Sequence, residues 1–405
     1  MNIDNGILSK LIVSRRGPII ASGASNKRTP PNRKVKKLPS ALRKELINLQ
    51  TESNSFRRQL LRLKSDSQYL RVVVQVSFLL LCVWIGIEFF YFARWGSSHG
   101  AELYVERPPG AEGFLPISAF MSLIYWIQTG IINDVHPAAL FIFIGAITIA
   151  LLLKKAFCSW MCPIGTMSES LWNLGNRIFG RTVVLPRWLD YPLRSLKYFL
   201  AFFFVYSISQ MDITSLKAFI FSPYNKMADV KMWMFFSDIT PFALRTLVGI
   251  TVLSLFVRNL WCRYLCPYGA LLGAISLLSP IKVTRKLATC IDCELCSKAC
   301  SAGIKVHTAR HVWNDECTGC LACVQSCPVK NTLEMKVVGT DVRVSNWVFG
   351  ALIIGLFVGI TGLAMMTGHW KNNISREEYL NRFPQINSPL YQHNRGSVPD
   401  YAPND

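Results

Sequence analysis

The sequence is poor in charge: 17% of its 405 residues are Asp, Glu, Lys or Arg, against 51% hydrophobic. With a mean hydropathy of +0.28, that shortfall excludes a single soluble domain. Acidic residues are the scarcer sign, 24 against 44 basic, leaving a formal net charge of +20. Histidine is sparse, six in all, and none falls inside an apolar segment, so no haem is held between membrane helices. No C-x-x-C-H occurs, which excludes haem c. The "SGAS" at 22–25 lacks the acidic lead-in and folded surroundings of a flavin-attachment signature, so no covalent FMN is expected. The first apolar run lies too far from Met1, and is too long, for a cleaved signal. No acid–base or nucleophilic constellation stands out.

What is present is segmented. Residues 1–71 carry sixteen Lys and Arg against Asp4, Glu45, Glu52 and Asp66. A basic block before an apolar run reads as a cytoplasmic flank, with anionic membrane lipid as a partner. It lacks the interleaved aromatics of a nucleic-acid interface, so no nucleic acid is expected. Five segments have the length and apolarity to cross a bilayer: about 72–93, 137–156, 194–211, 243–260 and 346–367. The expected fold class is an α-helical polytopic membrane protein of about five transmembrane helices with an inserted α+β, cysteine-rich domain. Its parts are a disordered basic N-terminus (1–40), an amphipathic basic helix (41–71), a four-helix transmembrane domain (72–284), the cysteine-rich domain (285–338), a fifth transmembrane helix (339–367) and a tail (368–405). Residues 42–70 also show a heptad-like seam, read either as a helix on the inner leaflet or as a dimer contact. The basic flanks put the N-terminus and the cysteine-rich domain in the cytoplasm and the C-terminal tail in the periplasm of a bacterial inner membrane.

Twelve of the thirteen cysteines are patterned. "FCSWMCPIGTM" and "WCRYLCPYGAL" each follow an apolar run and repeat the same spacing in the same chain direction. They make the helical domain a parallel two-helix repeat whose pseudo-axis brings the pairs face to face. Cys158/Cys162 and Cys262/Cys266, at i and i+4, would each share one helix face. Proline after the second cysteine suits a helix restart. Four sulfurs suffice for a further iron–sulfur or other thiophilic metal centre. Redox-cycling dithiols and inert packing are the competing readings. Trp160, Tyr264, Arg258, Arg263 and Lys155 nearby suit either a quinone ring or ordinary interface anchoring. Cys82, inside an apolar segment, reads as a small hydrophobe.

"CIDCELCSKAC" and "CTGCLACVQSCP" form two C-x2-C-x2-C-x3-C runs, which point to metal ligation in a reducing compartment. They resemble the bacterial two-cluster ferredoxin pattern, in which the fourth cysteine of each run ligates the other cluster. The resemblance implies two [4Fe-4S] clusters, one on Cys290, Cys293, Cys296 and Cys327, the other on Cys317, Cys320, Cys323 and Cys300. Paired zinc sites are the alternative. Ser301 stands where proline usually follows the fourth cysteine.

Taken with the outer stretches "RPPGAEGFLPISAFMSL" and "SPYNKMADVKMWMFF", these motifs resemble the NapH/NosR-type membrane polyferredoxins over roughly 72–335. That resemblance implies electron transfer between the quinol/quinone pool and a respiratory reductase or periplasmic redox protein. The chain then serves as an electron-transfer subunit, such as a quinol dehydrogenase component, rather than a complete enzyme. Two further readings stand beside it: an assembly factor that reduces copper or thiols for a client oxidase or reductase, and a redox-sensing regulator.

Overall fold

The computed structural model describes residues 66–391 except 181, 182 and 184. The disordered stretch 1–40, nearly all of the amphipathic helix 41–71 with its seam over 42–70, and the end of the tail therefore lie outside the described residues.

Asp66 opens the first helix. Its carboxylate accepts from the backbone N–H of Gln68 (2.9 Å) and Tyr69 (3.2 Å), satisfying two donors that a helix start leaves free. Helix α1, Ser67–Ser97, then runs unbroken through the first expected span. At 1.5 Å per residue it is roughly 45 Å long, more than a bilayer core of about 30 Å. A 3-10 turn, Pro109–Phe114, and α2, Pro116–Thr129, lead to α3, Pro137–Leu153. α3 stops where Lys154 takes φ 64°, a conformation a non-glycine residue cannot carry through a helix. A short turn, Ala156–Trp160, precedes α4, Pro163–Phe179. Next come α5, Arg187–Ser209, α6, Ile213–Ile220, α7, Ala228–Ser237, and α8, Pro241–Phe256. A π-helical turn, Trp261–Leu265, leads into α9, Pro267–Ser276.

Two of these helices start at sharp bends, with visible causes. Asp212 caps α6 by accepting from Thr214 N and Ser215 N, and the chain turns by 107° there. Thr240 caps α8 through Ala243 N, ahead of Pro241 at the first helical position, and that bend is 82°.

Strands β1, Ile281–Arg285, β2, Leu333–Val337, and β3, Arg343–Val344, form one antiparallel sheet in that order, with Ile281 opposite Val337 and Arg285 opposite Leu333. The sheet is wider than the expected 285–338, since β1 begins before it and β3 lies after it. Helix α10, Asn346–Met366, leaves directly from the sheet, and α11, Arg376–Arg382, lies in the tail. By length and composition α1 and α10 can cross a membrane, and each bent pair qualifies if it counts as one span. The described chain is thus helical with two to four candidate spans, where the sequence suggested five; α3, with 17 residues, is the short one.

One core joins helices to sheet. Ile149 and Leu153 of α3, Trp160, and Phe349 and Ile353 of α10 pack in the same cluster as Val283, Leu333 and Met335. At the other end of α1, Phe89, Phe92 and Trp95 pack with Val230, Tyr379 and Phe383. Gly96 allows this contact, because a Cβ there would stand 2.1 Å from the Phe383 ring. The sheet and α11 therefore sit at opposite ends of α1.

Candidate functional site

The two cysteine runs share one backbone design. In "CIDCELC", Asp292 (φ 48°) and Glu294 (φ 58°) are left-handed; in "CTGCLAC", Gly319 (φ 59°) and Leu321 (φ 60°) take the same places. Each second left-handed residue opens a short helical turn, Leu295–Lys298 or Ala322–Gln325. Positive φ is uncommon for a leucine, and Leu321 is only 1% exposed. Backbone held this way is a feature of functional loops. Here it curls each run around its sulfurs.

The fourth cysteines cross over. Cys290, Cys293, Cys296 and Cys327 line one small cavity, with Ile291, His307 and Leu333. Cys300, Cys317, Cys320 and Cys323 line another, with Val283, Val312 and Leu321. Sulfur is the donor set in both, as a cubane requires. Among the described residues, no three His, Cys, Asp or Glu side chains close on a single ion. The first cavity faces outward, with Cys293 exposed, while Cys300 and Cys323 are buried. Arg285 Nη1 donates to Cys290 Sγ (3.2 Å), a contact that favours negative charge on the sulfur.

The opening pairs are built by helix breaks rather than by one helix face. Cys158 lies in the turn Ala156–Trp160, and Cys162 is extended (φ −64°, ψ 120°), capping α4. Cys262 lies in the π-helical turn, and Cys266 (φ −78°, ψ 105°) caps α9. The expected i, i+4 face is corrected accordingly: proline at the first helical position, which fits there because its missing N–H is not needed, restarts each helix beyond the second cysteine. Gly269 N–H donates to Cys266 Sγ (3.2 Å), so the sulfur meets the positive end of a helix. Cys158, Cys162, Cys262 and Cys266 all line one cavity. Burial pushes the free thiols up, Cys162 to about 11 and Cys262 to about 12. Without metal these sulfurs are neutral; bound iron would supply the charge that holds thiolates.

That cavity is large, about 670 Å³. Its walls are mostly apolar, including Phe78, Phe114, Phe120, Phe143 and Phe204, and it extends from the four cysteines to Gly110 and Gly113 of the 3-10 turn. Ser301, Ala302, Glu316 and Thr318 belong both to its wall and to that of the Cys300/Cys317/Cys320/Cys323 cavity. Ser301, singled out in the sequence for replacing proline, thus sits between two cysteine sets.

Hydrogen bonds lock this junction. Ser159 Oγ donates to Thr318 O (2.7 Å) and Trp160 Nε1 to Gly319 O (3.1 Å). Arg71 of α1 holds Glu169 of α4 with two bonds, 2.7 and 2.6 Å, and Gln75 reaches Ser159 O at 2.9 Å. Gln68 Nε2 donates to Cys320 O (2.8 Å). Lys197 pairs with Glu316, and Lys155 approaches it at 3.8 Å.

Of the side chains named beside the pairs, Lys155 and Arg263 line the cavity. Tyr264 instead donates to Asp190 (2.6 Å), and Arg258 stacks on Trp172 and donates to Cys300 O (3.2 Å). Cys82 does line the cavity; one cysteine in an apolar run carries no sequence signal of that. Arg71, Gln75 and Glu169 were also missed. The visible clue was a charge and an amide at the start of an apolar helix.

Sequence comparisons agree with this geometry. A family described as "4Fe-4S binding domain" matches residues 135–182 and again 239–286, each containing one Cys-x3-Cys-Pro motif. One described as "4Fe-4S dicluster domain" matches 285–335. The fold and its sulfur-lined cavities define an iron–sulfur membrane protein. The "Putative electron transport protein YccM" of Escherichia coli K12 is 43% identical over 331 residues, covering 80% of this chain and 91% of that one. "Regulatory protein NosR" of Pseudomonas aeruginosa is 27% identical, covering 42% of this chain and 23% of its own. "Ferredoxin-type protein NapH" of Haemophilus influenzae is 24% identical, covering 45% and 62%. No solved structure matches. The chain belongs to the NapH/NosR-type family of 4Fe-4S membrane polyferredoxins.

Proposed function

We propose that this protein passes single electrons between the quinone pool and a redox partner across a row of iron–sulfur centres. Cys158, Cys162, Cys262 and Cys266 would hold the centre at the cavity. Cys300, Cys317, Cys320 and Cys323 would hold the middle one, and Cys290, Cys293, Cys296 and Cys327 the outermost. When bound, such clusters supply one-electron transfer, which lets a two-electron quinol be handled one electron at a time. The protein's own part is to hold the sulfurs, to keep the cavity dry, and to present the exposed Cys293 edge to a partner. The observation that carries this reading is the shared wall: an apolar cavity large enough for a quinone ring ends on four cysteines and backs directly onto the next cysteine set.

The topology follows the same reading. α1 begins, and α10 leaves, at the ferredoxin end, while α11 lies at the other. With the basic N-terminus in the cytoplasm, the ferredoxin domain is cytoplasmic and the tail periplasmic. α3, at the low end of the roughly 17–25 residues a span needs, and the two bent pairs complete five crossings in a parallel repeat. The name electron transport protein, carried by a relative matched over 91% of its length, favours this role. The name regulatory protein attaches to a relative of which only 23% is matched, so regulation takes second place.

The test is iron and acid-labile sulfide content, with electron paramagnetic resonance, on anaerobically purified full-length protein. Cys158→Ser with Cys262→Ser should lose one centre's share of iron and keep both ferredoxin signals. Unchanged iron in that variant would remove the third centre.

A further inference from the structure

A lysine at the end of a membrane helix usually reaches back to water. Lys155 does the opposite. Lys154, at φ 64°, ends α3 and turns the chain, and the Cys158 N–H then donates to Lys155 O (3.3 Å). The Lys155 side chain is only 4% exposed, and it lines the large cavity beside the four paired cysteines.

An ammonium carries three N–H donors. Among the described residues, Lys155 Nζ makes no hydrogen bond, and its one ion pair is long, 3.8 Å to Glu316 Oε2. The acceptors around it are engaged elsewhere. Glu316 is paired through Oε1 with Lys197, and Asp315 accepts from the Tyr198 hydroxyl. Asn314 O faces Lys154 Nζ at 3.5 Å. The other two cations of the cavity wall are satisfied: Arg71 bonds Glu169 twice, and Arg263 is paired with Asp190. A buried charge without hydrogen-bond partners is costly. The Lys155 donors are completed only by an acceptor that enters the cavity.

The cavity also gives that ligand its shape. Near the cysteines its wall is polar, with Lys155, Ser159, Glu316 and Thr318. Away from them it is apolar. Leu81, Phe114 and Ile117 line it and are at the same time exposed on the outside of the helices, at 48%, 41% and 44%. That end therefore opens on an apolar face. A ligand with oxygens on a ring and a long apolar tail matches both ends.

We propose that Lys155 positions the quinone headgroup: its Nζ donates to one ring oxygen and holds the ring against the paired cysteines, while the tail leaves past Leu81, Phe114 and Ile117. This rests on the quinol reading above and adds a named contact to it. The ring oxygen is a carbonyl in the quinone and a hydroxyl in the quinol. Both have lone pairs that accept, so the contact serves electron flow in either direction.

The test is the binding of a short-chain quinone to oxidised, anaerobic full-length protein, measured by equilibrium dialysis. It needs no electron transfer. The proteins compared are wild type, Lys155→Met and Lys155→Gln. Methionine removes the charge and the donors; glutamine removes the charge and keeps an N–H donor. Lys155→Met should weaken binding about ten- to hundredfold, as loss of a hydrogen bond from a charged group does. Lys155→Gln should weaken it less. Both should keep the two ferredoxin signals, because Lys197 still pairs with Glu316; if methionine disturbs them, Lys155→Gln against wild type decides. The midpoint potential of the paired-cysteine centre is read on the same samples. Binding in Lys155→Met equal to wild type overturns the contact and leaves the quinol reading standing. A potential that shifts in both variants while binding does not gives Lys155 to the metal centre and overturns the contact as well. Equal weakening in both variants assigns the effect to charge alone, against a donated hydrogen bond. If wild type binds no quinone, the quinol reading itself fails and the contact falls with it.

Discussion

The two Cys-Pro-x-Gly motifs look equivalent, but their glycines should respond differently to the same change. Gly165 and Gly269 are both third residues of a helix begun by proline. A Cβ on Gly165 would stand 2.1 Å from the Cys158 carbonyl oxygen, more than 1 Å inside ordinary contact, and that neighbour is backbone. A Cβ on Gly269 would meet nothing nearer than Cys266 Sγ at 3.5 Å. Alanine favours a helix over glycine by about 1 kcal/mol. Gly269→Ala should therefore be neutral or stabilise by up to that amount. Gly165→Ala must push the Cys158 turn away from α4, and overpacking of this kind costs about 1–3 kcal/mol. Its larger effect is on the site, because Cys158 and Cys162 separate. Iron content and thermal loss of cluster absorbance, measured on both variants, provide the assay. Gly165→Ala should lower the iron held at the paired cysteines and bleach at a lower temperature, with Gly269→Ala close to wild type. Equal iron and equal bleaching in both would refute this account of the motif.

Cys327→Ser should abolish the signal of the cluster with Cys290, Cys293 and Cys296, and Cys300→Ser that of the cluster with Cys317, Cys320 and Cys323, read by electron paramagnetic resonance of each variant. Loss confined to the run that contains each cysteine would contradict the crossing. In iron-free protein, alkylation of Cys162 and Cys262 should be slow at neutral pH and rise toward about 11 and about 12, since only the thiolate reacts and burial favours the neutral thiol; mass spectrometry across pH reads this, and fast labelling at pH 7 would contradict it. Arg71→Met leaves Glu169 without its charged partner, with only the Gln75 amide still donating to it and to Ser159 O. Arg71 is buried and Glu169 only partly so, so the loss should stay below the roughly 3–5 kcal/mol of a fully buried pair, and thermal stability should fall. Adding Glu169→Leu should recover much of the loss, and no recovery would show that the pair is not the cause.

The parts legible in the sequence were those encoded by short spacing. The crossed cysteine sets meet in two cavities because each x2 gap fixes a local turn, and the Cys-Pro-x-Gly motif marks a helix restart at Pro163 and at Pro267. Long-range packing was less visible. A hydropathy window counts apolar residues and is blind to the bends at Asp212 and Thr240, where a side-chain cap starts a new helix in a new direction. It also ran the second segment past Lys154, whose backbone ends α3. The buried contact of Arg107 with Asp229 could not be read at all. The two lie 122 residues apart, and nothing local pairs them.

The central claim is that electrons enter through the paired cysteines and continue to the ferredoxin sets. The most direct measurement adds a short-chain quinol to anaerobic full-length protein with oxidised clusters and follows their reduction spectroscopically, in wild type and in Cys158→Ser with Cys262→Ser. The account predicts reduction of the wild type by quinol, none in the double variant, and full reduction of the remaining clusters in both by dithionite. Quinol reduction that proceeds unchanged in the double variant would contradict it.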